Sequence, residues 1–136
     1  MTAIATRRLL SDSTDSLLRF ALRLDATLSG LLGLALAAAA GPLSALTGFT
    51  PTQEYITGAA LVLYGVVVYC LAALNSVRQA GIGVVLANLV CTVAAVAVVV
   101  SGALPLTGLG VAALLASATY TAAFAVAQYL GVRRLA

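Results

Sequence analysis

Any chemistry in this chain would have to be sought among the polar side chains set inside its apolar stretches, above all Asp25, Tyr64, Asn88 and Gln128. A polar or ionisable group in a hydrocarbon-facing run is costly, so it marks either a binding site or a structural partner. Asp25 is the strongest candidate, because a carboxyl at that position could take a proton or a cation. The competing reading is a structural ion pair with Arg23, two positions back, near Arg19, Arg78 and Arg134 at the same end. The ion pair is favoured, because a carboxylate held by a guanidinium is a poor proton carrier. Asn88 and Gln128 can bond across helices, each contact worth roughly 0.6–2 kcal/mol in a membrane. Tyr64 falls mid-span, so its hydroxyl needs an inward partner. Glu54, in the first turn of its helix, suits the positive end of the helix dipole.

Several chemistries are excluded. The chain has no histidine, hence no His-ligated haem, no His-based metal site and no Ser-His-Asp triad. It has no phosphate-cradling glycine loop, and no two carboxylates share one depth. No cofactor and no catalysis are expected. Cys70 and Cys91 are expected as small buried side chains. Their different depths argue against a disulfide.

The elements that position these residues follow from composition. Of 136 residues, 62% are hydrophobic and 8% charged. A soluble domain keeps about a quarter of its residues charged, so lipid must replace water over most of this surface. The expected fold is all-α: a single transmembrane domain of four helices at about 14–40, 51–74, 82–101 and 107–130. The Ser/Thr/Asp run at 11–15 reads as the first helix start, and Gly41-Pro42 as its stop, with a loop from 41 to 50. Its apolar core is too long for a cleaved leader. Thr50-Pro51-Thr52-Gln53 reads as a capping box opening the second helix, and residues 75–81 as a tight turn.

All seven basic residues are arginines, and all fall on one side of this topology. That asymmetry predicts a multi-pass protein of the inner (plasma) membrane with both termini in the cytoplasm. Arginines grouped beside apolar spans argue against nucleic-acid binding.

Helices in lipid associate through small residues and interhelical hydrogen bonds. Small residues recur every fourth position in the first span (Ser29, Gly33, Ala37, Gly41), the third (Gly83, Ala87, Cys91, Ala95) and the fourth (Ala113, Ser117, Thr121, Ala125). Gly30, Gly33, Gly83, Ala87 and Ser117 are therefore the expected packing positions. Leu46-Thr47-Gly48 recurs as Leu106-Thr107-Gly108 at an offset of 60. This is either a duplication giving two parallel-repeat hairpins or chance recurrence in an Ala/Val/Leu-rich chain.

The segment Arg23-Leu24-Asp25-Ala26, with Ser29-Gly30, Gly33-Leu34, Gly41-Pro42-Leu43, Ala87-Asn88 and Tyr129-Leu130-Gly131-Val132-Arg133-Arg134, resembles a group of small actinobacterial four-helix integral membrane proteins. That group carries a tryptophan in its third helix, which this chain lacks. The resemblance implies the topology and a bacterial host, and no activity.

Two functions follow as expectations. The first is a non-catalytic scaffold or accessory protein that forms a homo-oligomer or joins a larger membrane-protein complex, with membrane lipids as its other partners. The second is a small transporter or lipid-binding protein, with Asp25, Tyr64, Asn88 and Gln128 lining its interior. A closed, fully bonded interior favours the first, and a cavity reaching those groups favours the second.

Overall fold

The computed structural model describes residues 2–135, with side chains from residue 14 onward. The described chain forms five helices: α1 (Thr2–Ala38), α2 (Ala40–Thr47), α3 (Pro51–Leu71), α4 (Arg78–Ser101) and α5 (Gly108–Arg133). Four of them, α1 from Thr14, α3, α4 and α5, are long and apolar enough to cross a membrane. They form a four-helix bundle. α1 packs chiefly on α3 and α4 chiefly on α5, and the two pairs join through α1 and α5.

Several boundaries differ from the sequence expectation, each for a physical reason. α1 does not begin near Thr14 but is already helical there. The side chains of Ser11, Asp12 and Ser13, read as its start, lie outside the described residues, as do those of Arg7 and Arg8. Gly41-Pro42 kinks the chain rather than stopping it. Proline has no N–H to give the preceding turn, so the axis breaks at Ala39 (φ −110°, ψ 23°) and helix resumes as α2. The expected loop is therefore mostly helical. It ends at Gly48, whose φ of +84° only glycine adopts readily. The Thr50 capping box is present in full: Gln53 N donates to Thr50 Oγ1 at 3.1 Å, and Thr50 N donates to Gln53 Oε1 at 2.9 Å.

At the opposite, arginine-bearing end, α3 stops at Leu71 instead of Leu74, and α4 starts at Arg78 instead of Ile82. Arg19 explains the early stop. Its Nη1 donates to the carbonyls of Ala72 (2.8 Å) and Leu74 (2.7 Å), and its Nη2 to that of Asn75 (3.3 Å). These carbonyls have no helical partner at a helix end. Asp15 steadies the guanidinium from one turn back, at 2.9 Å. Arg19→Gln is therefore expected to lower stability by about 1–2 kcal/mol, as hydrogen bonds from a charged donor do. Asp15→Asn should cost less, about 0.5 kcal/mol, as for other i,i+4 pairs. Melting curves in mild detergent check the order, and equal losses would contradict the capping role.

Gly81 lies inside α4, not in a turn. A Cβ there would meet Leu18 Cδ2 at 2.7 Å, so the glycine lets α4 close on α1. The core of the described residues sits at this end: Leu18, Leu22, Ala26, Val68, Ala72, Val77, Val84 and Val132. Large apolar side chains such as Phe20, Leu63, Val93 and Val100 face outward, as a lipid solvent requires.

At the other end, the two Leu-Thr-Gly tripeptides meet but do different jobs. Thr47 and Gly48 close α2, whereas Thr107 caps α5 by accepting from Gly110 N at 3.1 Å. Thr107 Oγ1 also donates to the Leu46 carbonyl at 2.6 Å, and Thr107 N to that of Thr47 at 3.0 Å. The match thus marks a contact between non-equivalent positions.

Candidate functional site

Every helix that spans the bundle contributes to one buried carboxyl group. Asp25 is fully buried on α1, some 9 Å deeper than Arg19 by helical rise. Its Oδ1 accepts from Ser29 Oγ (3.1 Å) and the Tyr120 hydroxyl (3.0 Å). Its Oδ2 accepts from the Tyr64 hydroxyl (2.7 Å), Asn88 Nδ2 (3.1 Å) and Gln128 Nε2 (2.8 Å). The five donors come from α1, α3, α4 and α5, and all are neutral. All five face acceptor oxygens of one carboxyl group, two at Oδ1 and three at Oδ2.

The donors are themselves tied together. Asn88 gives a second bond to Gln128 Oε1 at 2.8 Å, which fixes the orientation of both amides. Tyr120 lies within bonding distance of Ser29 Oγ and of the Asp25 carbonyl, both at 3.2 Å. Thr92 extends the network along α4. It donates to the Asn88 carbonyl at 2.9 Å and meets Thr121 of α5 at 2.6 Å. Among the described residues, no buried side-chain nitrogen or oxygen lacks a partner, as expected where each unmet group is costly.

The structure therefore brings together Asp25, Tyr64, Asn88 and Gln128, the four interior groups singled out in the sequence. It does not bring Arg23 to them. Two residues along a helix is a turn of about 200°, so Arg23 points away from Asp25 and is exposed. The expected Arg23–Asp25 ion pair is replaced by a network of neutral donors; Asp15–Arg19 is an ion pair within α1, and the Arg19 bonds to the carbonyls of Ala72, Leu74 and Asn75 tie α1 to the turn. Sequence reasoning passed over Tyr120 and treated Ser29 only as a small packing residue. Ser29 was legible as a partner, since it lies one turn from Asp25 on the same face. Tyr120 lies two turns from Gln128, but its depth against α1 depends on the tilt of the bundle.

Packing positions need similar correction. Gly33 is a close-approach site: a Cβ there would meet the Gly58 carbonyl at 2.5 Å and Val62 N at 2.8 Å. Gly30 contributes its backbone, against which a Cβ on Gly65 would press at 3.1 Å, but its own Cβ position is open. Ala87 is half-buried, while Gly83 and Ser117 are exposed and off the packing face. Ser117 bonds only back to its own helix, at the Ala113 carbonyl. The buried line on α4 runs instead through Gly81, Val84 and Asn88, and on α5 through Gly110, Ala118, Ala125, Gln128 and Val132. Cys70 and Cys91 are free thiols on the outer surface, not buried as expected.

Glu54 forms a second buried carboxyl near the arginine-free end, accepting from Thr47 Oγ1 at 2.6 Å and so fastening α2 to α3. The described residues hold no cluster of His, Cys, Asp or Glu suited to a metal ion. Two grooves open on the lipid-facing surface, one between α4 and α5 and one between α1 and α3, and Asp25 lines neither. No protein-family model, no curated protein and no solved structure matches this chain.

Proposed function

We propose that this chain is a small, non-catalytic membrane scaffold or accessory protein, which self-associates or joins a larger membrane complex. One observation carries the reading: donors from all four spanning helices are used up in joining the helices at Asp25, and among the described residues no buried side-chain nitrogen or oxygen is left without a partner. Transport would need a route from a membrane face to that carboxyl. On the arginine-bearing side, Leu18 and Leu22 are fully buried in the way, and neither surface groove meets it. A polar site so enclosed sets helix register and identity, much as a single buried polar residue does in a coiled coil.

The arginine asymmetry supports an inner (plasma) membrane location with both termini in the cytoplasm. The test is purification of the tagged full chain from its host in mild detergent, with mass spectrometry of what accompanies it. A stoichiometric membrane-protein partner, or a discrete homo-oligomer, is expected. A lone monomer would overturn the scaffold reading and move transport to first place.

A further inference from the structure

The close approach of α1 and α3 has an outer side. Where the two backbones meet at Gly33–Gly58 and Gly30–Gly65, the helices leave a shallow trough facing lipid. It is lined by Thr27, Gly30, Leu34, Val66, Tyr69 and their neighbours, and it presents only apolar surface. Gly30 forms its floor, since a Cβ there would meet nothing within 4 Å.

One end of this trough carries charge. Gly33 lies opposite Gly58, and Gly65 opposite Ala26 and Gly30. Extending that antiparallel register places Tyr69 and Cys70 level with residues 23 and 24. Arg23 precedes the lining residues Ala26 and Thr27 by three and four positions, so it shares their face. Helical side chains lean toward the helix N-terminus, which for Arg23 is the arginine-bearing end. Arg19, one turn earlier, is committed to the carbonyls of Ala72 and Leu74 just after α3. Arg23 is exposed, and among the described residues none pairs with it. From Arg23 to Leu34 the trough runs about 16 Å, roughly half of a bilayer's hydrocarbon thickness.

The geometry points to a binding site for one anionic glycerophospholipid of the leaflet at the arginine-bearing end. An acyl chain lies in the trough over Gly30, beside Tyr69, and the headgroup phosphate meets the Arg23 guanidinium. A transmembrane partner helix would run the full bilayer depth and gain nothing from a charge at one end. An amphiphile of one-leaflet length matches both the trough and its single charged mouth.

The experiment adds phosphatidylglycerol or phosphatidylcholine to the full-length protein in mild detergent and counts retained lipids by native mass spectrometry. Wild type is expected to keep one phosphatidylglycerol, preferred over phosphatidylcholine about five-fold, the scale of one arginine–headgroup contact. Arg23→Gln should abolish the preference, while Arg134→Gln should leave it intact. Gly30→Leu fills the trough without meeting the protein and should remove the bound lipid. Thr27→Trp, on an exposed position, serves the same purpose if the first variant does not fold. Equal retention of the two lipids by wild type would overturn the site, as would an unchanged preference in Arg23→Gln. So would a wild-type dimer that Gly30→Leu converts to monomer with its lipid unchanged, since the trough would then be a protein interface.

Discussion

Replacing Asp25 is expected to destabilise the bundle more than any other single polar substitution. In Asp25→Leu the donors of Ser29, Tyr64, Asn88, Tyr120 and Gln128 lose their common acceptor at once. The two amides suffer most, because each is buried and held in place by the other. An unmet buried donor costs about 1–3 kcal/mol. The total therefore reaches several kcal/mol, a large part of the usual 5–15 kcal/mol of folding stability. Asp25→Asn should cost less, about 1 kcal/mol, since an NH2 on the Oδ1 side can donate to the Ser29 and Tyr120 hydroxyls, which also accept, while its oxygen keeps the Tyr64, Asn88 and Gln128 donors. Tyr64→Phe removes one donor and should cost about 1 kcal/mol, within the range for interhelical bonds in membranes.

The energies should not add. Once Asp25 is leucine, changing Asn88 and Gln128 to leucine removes the stranded donors and should recover part of the loss. Unfolding midpoints of the reconstituted variants test this. If Asp25→Leu unfolds at the wild-type midpoint, the side chain at position 25 does not hold the helices together, and the scaffold reading loses its main support.

The second large effect is expected at Gly33. The atoms facing its absent Cβ are backbone: the Gly58 carbonyl at 2.5 Å and Val62 N at 2.8 Å. Backbone cannot rotate away as a side-chain tip can, so even Gly33→Ala must push α1 and α3 apart. Overpacking of this kind costs about 1–3 kcal/mol, and Gly33→Leu should prevent the pair from closing. Gly30, three residues earlier and equally small, has open space at its Cβ position. Gly30→Leu should leave the melting temperature near that of wild type. Similar melting temperatures for Gly33→Leu and Gly30→Leu in the same detergent would show that this contact does not position the helices.

The contrast between these two glycines shows what the sequence could and could not reveal. Spans, the Thr50 capping box and the interior placement of Asp25, Tyr64, Asn88 and Gln128 were legible, because each rests on local chemistry or on the cost of a polar group in lipid. The faces were harder. Small residues every fourth position drift around a straight helix by about 40° per step. A bundle seam instead alternates steps of three and four. On α4 and α5, Gly83 and Ser117 follow the first pattern and are exposed, whereas Gly81 and Ala118 follow the second and are buried. With alanine and valine throughout, nothing local separates the two. Arg23 misled for a related reason: closeness in sequence to Asp25 was read as closeness in space, although two positions on a helix face opposite ways.

The hydrogen bonds at Asp25 also set an order of events during synthesis. The acceptor enters the bilayer with the first span, while its donors lie 39 residues later at Tyr64, 63 at Asn88, 95 at Tyr120 and 103 at Gln128. Until the last helix leaves the ribosome, α1 carries a carboxyl whose partners have only partly arrived. A carboxyl without its partners is costly in lipid, and α1 gains its last donor, Gln128, only when α5 is complete. A chain broken off before residue 108 would keep Asp25 partly unmet in lipid, and that exposed group distinguishes it from the finished molecule.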